Sequence, residues 1–460
     1  MTEKNVHPSR ARRIAQIGRV AGSQGARSLA TKAANIGRSE EEARAATAER
    51  QMAMAEQLVT LLGTMRGAAM KVGQMLSVAD FGLIPDDRRE EIQQRLAALQ
   101  DNAPKAPWKK MRSHIEKSLG DRVTDVFAEF HPEPVAAASI GQVYRAALPD
   151  GRPVAVKVQY PGIAAAVRSD IKNLRLFAPA MRGLFPGIDL DSIVDEVEER
   201  VLEELDYEHE AANQRMVARA YRGHPFIRVP DVHTELCTEV VLVTDWVDGR
   251  PLPTAYDAGQ AERDRVAEIL FRFYMGSTYL NRCFSGDPHP GNALVQDDGS
   301  LAFIDFGLMK TISREAVADE LEGLRALADG DAETVVALFR KQGFVLDPER
   351  ISPQEVLDAL RFSQGWYIVD EDPHLTPAVA NRIAAKATDP EGPVYRVFKD
   401  EPLPDQHMVQ RRVEVLVLTT LGQLRPQLNF HRIAREWLFG EAPVTELGRL
   451  EAQWRAGAPG

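Results

Sequence analysis

The chain has 460 residues, of which 44% are hydrophobic and 27% charged, with a formal net charge of −11. This length exceeds what one hydrophobic core normally fills, so several domains or lobes are expected, and the acidic balance argues against nucleic acid as the main partner. Two cysteines without metal-ligand spacing argue against a disulfide scaffold, and no apolar run reaches the roughly 18 residues of a membrane span.

The first 39 residues form a basic arm. Residues 1–38 contain eight Lys or Arg residues against the single acidic residue Glu3. They lack the apolar core of a secretory signal, and Gly18, Gly22 and Gly25 weaken any long helix. A solvated tail is therefore favoured, and docking on an anionic membrane surface is the alternative.

Residues 40–130 predict a helical extension. Apolar residues from Leu58 to Leu76 recur at spacings of four and three, which places them on one buried helix face. Lys71 and Gln74 point away from that face. The predicted segments of the extension are a helix over 40–78, a helix over 86–99, a proline-bearing stretch over 102–107 and a helix over 108–119.

Strands predominate at the start of the next predicted domain, 131–248. A hairpin is expected to pair Val143–Leu148 with Pro153–Gln159 across a Pro-Asp-Gly turn. Its second strand contains Val-Ala-Val-Lys ending at Lys157, the form in which kinases place a lysine that binds the phosphates. The remaining predicted elements are helices over 161–182 and 190–221 and a strand over 240–244.

An acidic row is predicted on the helix over 190–221. Its members recur at spacings of four, three and four, and such a row destabilises an isolated helix by tenths of a kcal/mol per pair. The row therefore predicts a nearby cation that offsets its negative charge. Lys157, a metal ion and Lys71 are the candidates. A solvated acidic face is the alternative. The row consists of Glu199, Glu203, Asp206 and Glu210.

The most informative segment lies in a predicted helix-rich domain over 249–440, which a tail over 441–460 follows. Asp287 is followed five residues later by Asn292, and Asp305 begins an Asp-Phe-Gly motif after a predicted hairpin. Phosphoryl transfer depends on positioning and on neutralising charge, and kinases use these residue types in this order. The pattern predicts Asp287 as catalytic acid/base, Asn292 and Asp305 as Mg²⁺ ligands, and ATP or ADP as the bound nucleotide.

With these motifs in place, the sequence resembles the UbiB/AarF family of atypical kinases. Met70 to Gln74 matches the family's KxGQ motif, Ala136 to Gln142 its Ala-rich loop, and Glu204 to Asp206 its ExD motif. The lysine strand, the Asp287 loop and Asp-Phe-Gly follow in family order. The resemblance implies an α+β, protein-kinase-like bilobal fold with an N-terminal helical KxGQ extension.

The resemblance also implies roles for single residues. Lys157 pairs with Glu210, and these two form the catalytic set with Asp287. The Ala-rich loop has one glycine where kinases have several, so it is expected to hold nucleotide differently. Adenine is expected to bond the backbone at a hinge near Asp245 and Val247. The implied nucleotide-binding residues are Ala136, Ala137, Ala138, Ser139, Ile140, Gly141, Val143, Ala155, Lys157, Asp245 and Val247.

In the family the KxGQ helix folds over the active site, which implies that Lys71 and Gln74 form a regulatory lid against Glu204 and Asp206. Such a lid would disfavour protein substrates. The chain also lacks an Ala-Pro-Glu motif after Asp-Phe-Gly, which puts a peptide-docking platform in doubt.

The function implied is a Mg²⁺-dependent, ATP-binding atypical kinase or ATPase that supports isoprenoid quinone or other lipid metabolism. One alternative is a small-molecule phosphotransferase, because the loop from Gly286 to Asn292 also resembles that of aminoglycoside-type kinases. Another is a non-catalytic scaffold that nucleotide switches. Expected partners are nucleotide and an isoprenoid lipid or quinone precursor, with no nucleic acid. The expected location is the cytoplasm, with peripheral association to an anionic membrane as an addition.

Overall fold

The structure is a computed structural model that describes residues 106–138, 140–181, 195, 198, 201–371, 374–388, 392–399, 401 and 405–457. The predicted basic arm, the predicted helices over 40–78 and 86–99, Lys71, Gln74 and Ser139 lie outside the described residues. The chain divides into two compact units that interleave along the sequence. Among the described residues, the first unit takes those within 106–145, 157–206 and 239–241, and the second takes those within 146–156, 207–238 and 242–457.

A five-stranded sheet with flanking helices forms the N-terminal part of the described chain. Its strands β1 (Glu129–Phe130), β3 (Gly141–Ala147), β4 (Pro153–Gln159) and β6 (Val241–Asp245) are neighbours in that order, and β2 (Ala136–Ala137) pairs with β3. The predicted helix over 108–119 and the predicted hairpin are both present. The helices are α1 (Trp108–Leu119), α2 (Val123–Val126) and α3 (Ile163–Met181).

An aromatic cluster anchors α1 in the first unit. The Trp108 ring stacks on Phe130 with centroids 5.0 Å apart and meets Tyr144 at 5.5 Å. Met111 and Ile115, one turn apart on α1, are fully buried. This apolar face explains why a helix without a side-chain N-cap hydrogen bond is nevertheless stable here.

The predicted helix over 190–221 is interrupted, so its acidic row does not lie on one continuous helix. Residues 201–204 are helical, the chain leaves the helix at Leu205 and Asp206, and a new helix begins at Tyr207. At this break the Gln159 side-chain amide donates to the Leu205 carbonyl at 2.9 Å. Glu210 therefore sits on a different helix from Glu203.

The second unit is built mainly of helices. In the strand order β5-β10-β9-β7, β5 runs parallel to β10, and a separate pair joins β11 to β8. The helices are α4 (Tyr207–Ala220), α5 (Gln260–Phe271), α6 (Ser277–Leu280), α7 (Arg314–Asp329), α8 (Ala332–Lys341), α9 (Pro353–Ile368), α10 (Pro377–Thr388), α11 (Pro393–Phe398), α12 (Asp405–Leu424), α13 (Phe430–Leu438) and α14 (Glu446–Gly457). The strands are β5 (Ile227–Arg228), β7 (Arg250–Pro251), β8 (Cys283–Ser285), β9 (Ala293–Val295), β10 (Leu301–Phe303) and β11 (Met309–Thr311).

Helix α5 runs through the core of this unit and continues into a π-helical turn over Arg272–Gly276. Phe271 at its end is fully buried, and aromatic rings of α9 and α13 surround it. A single π turn inside an α-helix is uncommon and is frequently found at functional sites. Among the described residues, no helix is both long and apolar enough to cross a membrane.

Candidate nucleotide and metal site

The loop after β8 folds into a compact turn that places Asp287 beside Asn292. The backbone N–H of Gly286 donates to the Leu308 carbonyl at 2.7 Å, and the N–H of Asp287 donates to the Ser285 hydroxyl at 3.3 Å. The Asn292 side-chain NH2 donates to the Asp287 carbonyl at 3.0 Å. The two predicted site residues, which are five apart in the sequence, are thus joined by a direct hydrogen bond.

The predicted hairpin is present as β9 and β10, and it returns the chain to this loop. Leu301 pairs with Val295 and Phe303 with Ala293 in an antiparallel register. Immediately after β10, the Ile304 N–H donates to the Asn292 carbonyl at 3.0 Å. Asp305, the next residue, is therefore held close to Asn292 by the backbone.

The charges of Asp287 and Asp305 act on a buried phenol from the π turn. Tyr274 is buried, and this burial is the main cause that raises the pKa of its hydroxyl. The negative charges of Asp287 and Asp305 raise the pKa further. Phenol ionisation is opposed because it would add a third negative charge in a region of low polarity. Nothing in the sequence alone marked Tyr274, because the π turn that presents it has no pattern of its own.

Glu210 on α4 lies against the Asp-Phe-Gly segment and is 2% exposed. A methyl group added at Gly307 would meet Asp305 Oδ1 at 3.7 Å and Glu210 Oε2 at 3.9 Å, so both carboxylates border this glycine. The Gly307 N–H donates to Asp305 Oδ1 at 3.2 Å. The second unit thus brings Glu210, Asp287, Asn292 and Asp305 into one region.

The donor atoms of this region suit a magnesium ion. Because the Asn292 NH2 group donates to the Asp287 carbonyl, its Oδ1 oxygen is the atom left for a metal, and Asp305 adds carboxylate oxygens. Mg²⁺ prefers hard oxygen ligands and is commonly held by one or two carboxylates together with substrate phosphates. Within the described residues no group of three or more His, Cys, Asp and Glu side chains could hold a metal.

Lys157 lies on β4 in the first unit, on the face of the strand opposite the core. Val154, Val156 and Val158 are fully buried, whereas Ala155 and Lys157 between them are partly exposed. This alternation follows from the two-residue period of a strand. It places the two predicted nucleotide contacts of β4 on the same face.

The Ala-rich loop closes as a narrow antiparallel turn. Ala136 pairs with Val143, and the Ala138 N–H donates to the Gly141 carbonyl at 2.8 Å. A methyl group at Gly141 would lie 2.3 Å from the Val158 carbonyl oxygen, so only glycine permits this approach of β3 to β4. Ala136 and Ala137 are exposed, and Ile140 is buried. The loop's one glycine is therefore required by packing.

The predicted hinge begins at Asp245, the last residue of β6, and continues in the second unit. The Asp245 N–H donates to the Asp231 carbonyl and the Trp246 N–H donates to the Pro153 carbonyl. The Asp245 carbonyl accepts a hydrogen bond from the Thr244 hydroxyl at 3.4 Å, which an adenine amino group would have to share or replace. Buried His233 contacts Asp245 Oδ1 through Nε2 at 2.8 Å, a support that the sequence did not reveal.

The remaining predicted contacts stay predictions. In the first unit, Glu204 is partly buried and Asp206 is exposed. The proposed lid contacts of these residues involve Lys71 and Gln74, which lie outside the described residues. Lys157 belongs to the first unit and Glu210 to the second, and their pairing also stays a prediction.

The fold and the order of these segments define a protein-kinase-like domain. A family profile described as ABC1 atypical kinase-like domain matches residues 98–339. The chain belongs to this family of atypical kinases, which confirms the resemblance drawn from its motifs.

Curated relatives and a solved structure agree with this assignment. The chain is 34% identical over 285 residues to atypical kinase COQ8B, mitochondrial, of Rattus norvegicus, covering 62% of this chain and 53% of the relative. It is 35% identical over 268 residues to AarF domain-containing protein kinase 1 of Mus musculus, covering 57% and 50%. The chain therefore spans about half the length of these relatives. The Rv3197–erythromycin complex from Mycobacterium tuberculosis matches with a TM-score of 0.62 and 31% identity, covering 87% of this chain and 98% of that one.

Proposed function

We propose that this atypical kinase binds ATP or ADP with Mg²⁺ and acts as an ATPase or a phosphotransferase. The observation that carries the proposal is the bonded arrangement in which Asn292 joins Asp287 through its side chain and joins Ile304, next to Asp305, through its backbone. Magnesium bound there would neutralise and bridge the phosphates, which is the main requirement of phosphoryl transfer.

Each residue of the site has a proposed task. Asp305 and Asn292 hold the metal, and Asp287 accepts the proton of the attacking hydroxyl or water. Lys157 binds the phosphates and Glu210 orients it. At the hinge, the Asp245 carbonyl and the Val247 N–H are proposed to bond adenine, which requires nothing of their side chains.

The proposed acceptor is a small molecule of isoprenoid quinone or other lipid metabolism. Support comes from the family resemblance and from the proposed lid of Lys71 and Gln74, which would obstruct a peptide. The basic arm of residues 1–39 is proposed to attract an anionic membrane, at on the order of 1 kcal/mol for each Lys or Arg near the surface.

A second candidate is a phosphotransferase that acts on a polar small molecule. Its support is the likeness of the Asp287 loop to aminoglycoside-type kinases, together with the similarity to Rv3197 of Mycobacterium tuberculosis, which was solved in complex with erythromycin. Phosphate release and transfer measured separately with prenylated phenols, erythromycin and a generic protein would distinguish the two candidates.

The binding proposal is tested with Asp305→Asn. Without the Asp305 carboxylate the metal loses a charged ligand, so ADP with Mg²⁺ should no longer raise the melting temperature, although it does so for the wild type. Asp297→Asn makes the same change on the exposed turn between β9 and β10 and serves as the control. Equal stabilisation of wild type and Asp305→Asn would refute the assignment of the metal site.

A further inference from the structure

Helix α4 sends two neighbouring side-chain amides to backbone carbonyls of the second unit. The Asn213 NH2 group donates to the Phe306 carbonyl at 3.1 Å. The Gln214 NH2 group donates to the Pro230 carbonyl at 2.8 Å. The two bonds have the same chemistry, but only the first reaches the Asp-Phe-Gly segment.

The carbonyl that Asn213 binds belongs to the peptide unit between Phe306 and Gly307. The N–H of that same peptide unit donates to Asp305 Oδ1 at 3.2 Å. Because a peptide unit is planar and rigid, its C=O and N–H directions are fixed relative to one another. Asn213 therefore bonds the C=O of a rigid peptide unit, and the N–H of the same unit bonds the Asp305 carboxylate.

Glycine at position 307 makes this restraint necessary. A peptide plane followed by glycine can rotate at low cost, since glycine populates backbone conformations closed to other residues. Rotation by half a turn would point the Phe306 carbonyl toward the Asp305 carboxylate and remove the hydrogen bond that the carboxylate accepts. Two like partial charges would then face each other, and the carboxylate would have to move.

The position of Asn213 also links this restraint to Glu210. The two residues are three apart on α4, so they lie on the same side of the helix. Glu210 borders Gly307 while Asn213 bonds the preceding carbonyl. A displacement of α4 would therefore disturb the Asp-Phe-Gly backbone as well as Glu210.

We propose that Asn213 is a positioning residue that locks the Phe306–Gly307 peptide plane, so that the Asp305 carboxylate keeps its metal-binding orientation. The locking of the peptide plane is inferred from the two hydrogen bonds of that peptide unit. Its effect on metal binding rests on the proposed Mg²⁺–nucleotide function. Asn213 itself touches neither nucleotide nor metal in this proposal.

The test compares Asn213→Leu and Asn213→Ala with Gln214→Leu. All three variants remove an amide donor from α4, and the Gln214 variant removes the one that bonds Pro230. The first readout is hydrogen–deuterium exchange of residues 304–309 in the full chain without nucleotide. The second is the Mg²⁺ concentration that gives half of the thermal stabilisation by ADP.

Both Asn213 variants should exchange faster in residues 304–309 and need on the order of tenfold more Mg²⁺, the effect of losing one hydrogen bond to a buried carbonyl. Gln214→Leu should lower the melting temperature while leaving both readouts at wild-type values. Wild-type exchange and Mg²⁺ requirement in the Asn213 variants would overturn the inference, as would equal changes in Gln214→Leu. A wild type without Mg²⁺-dependent stabilisation would instead refute the proposed function, and the exchange of residues 304–309 would still decide whether Asn213 locks the peptide plane.

Discussion

Replacing Arg272 by Met should strongly destabilise the second unit. Arg272 opens the π turn and its side chain is 1% exposed. Its guanidinium bonds three carboxylates, at 2.8 Å to Glu268, 2.7 Å to Glu436 and 3.0 Å to Glu451. The substitution leaves these carboxylates without the cation they share.

The structure sets the size of this effect. Removing one partner of a buried ion pair costs about 3–5 kcal/mol, because the remaining charge stays buried. Burial alone would raise the pKa of Glu451, but His224, Arg272 and Arg455 outweigh it and lower the pKa from 4.5 to about 2. His224 Nε2 lies 3.8 Å from the carboxylate, too far for a hydrogen bond, so we attribute the lowering mainly to the two arginines. A pKa change of that size corresponds to on the order of 3 kcal/mol.

The sign of the pH dependence follows from the lowered pKa. Ionised Glu451 stabilises the folded wild type above its ordinary pKa of 4.5, and this contribution is lost as the pH falls toward about 2. In Arg272→Met, Glu451 loses one of the two arginines that lower its pKa, so this carboxylate takes up a proton more readily than in the wild type. The stability gap between wild type and variant should therefore be largest at neutral pH and narrow below about pH 4.5.

Urea unfolding at pH 7.5, 5.5 and 4 would measure this gap. Arg455→Met is the control, since Arg455 is 31% exposed and bonds only the Oε1 atom of Glu451 at 2.8 Å. We expect the control to lose about 1 kcal/mol or less. A loss below about 1 kcal/mol for Arg272→Met at pH 7.5, or a gap that widens on acidification, would refute the reasoning.

Two further predictions concern packing and the lid. Gly141→Ala should cost about 3 kcal/mol in urea unfolding, because its methyl group would meet the Val158 carbonyl at 2.3 Å, whereas Gly259→Ala, with open space around it, should cost little. Similar losses for the two alanine variants would show that the close approach of β3 to β4 can relax. Lys157→Ala should abolish ATP hydrolysis, whereas Lys71→Ala should raise access to the site and thereby transfer to a generic protein acceptor. Parallel loss of activity in both lysine variants would contradict the lid.

Part of the site could be read from the sequence because kinases encode it locally. The spacing of Asp287 and Asn292 lies within one loop, and a hairpin turn of regular type separates that loop from Asp305. The alternation around Lys157 is a two-residue pattern that a strand imposes on its own sequence. In each case the chemistry depends on neighbours that are close along the chain.

Contacts between distant residues are where sequence reasoning failed. The periodicity of 190–221 predicted one helix, but the chain leaves the helix at Leu205 and Asp206, where the side chain of Gln159, 46 residues before Leu205, bonds the Leu205 carbonyl. Asn213 had a usable signal, since it follows Glu210 by three residues on one helix face, but its partner at Phe306 is 93 residues away.

The family, the order of the kinase motifs, the spacing within the Asp287 loop and the β9–β10 hairpin could all be predicted from the sequence. The folded structure was needed to find that Arg272 is buried among three carboxylates, that the charges of Asp287 and Asp305 act on buried Tyr274, and that Asn213 bonds the Asp-Phe-Gly backbone. Hydrophobic periodicity and turn chemistry reflect interactions within a few residues of one another. Hydrogen bonds and charges buried in a core depend on which distant segments pack together.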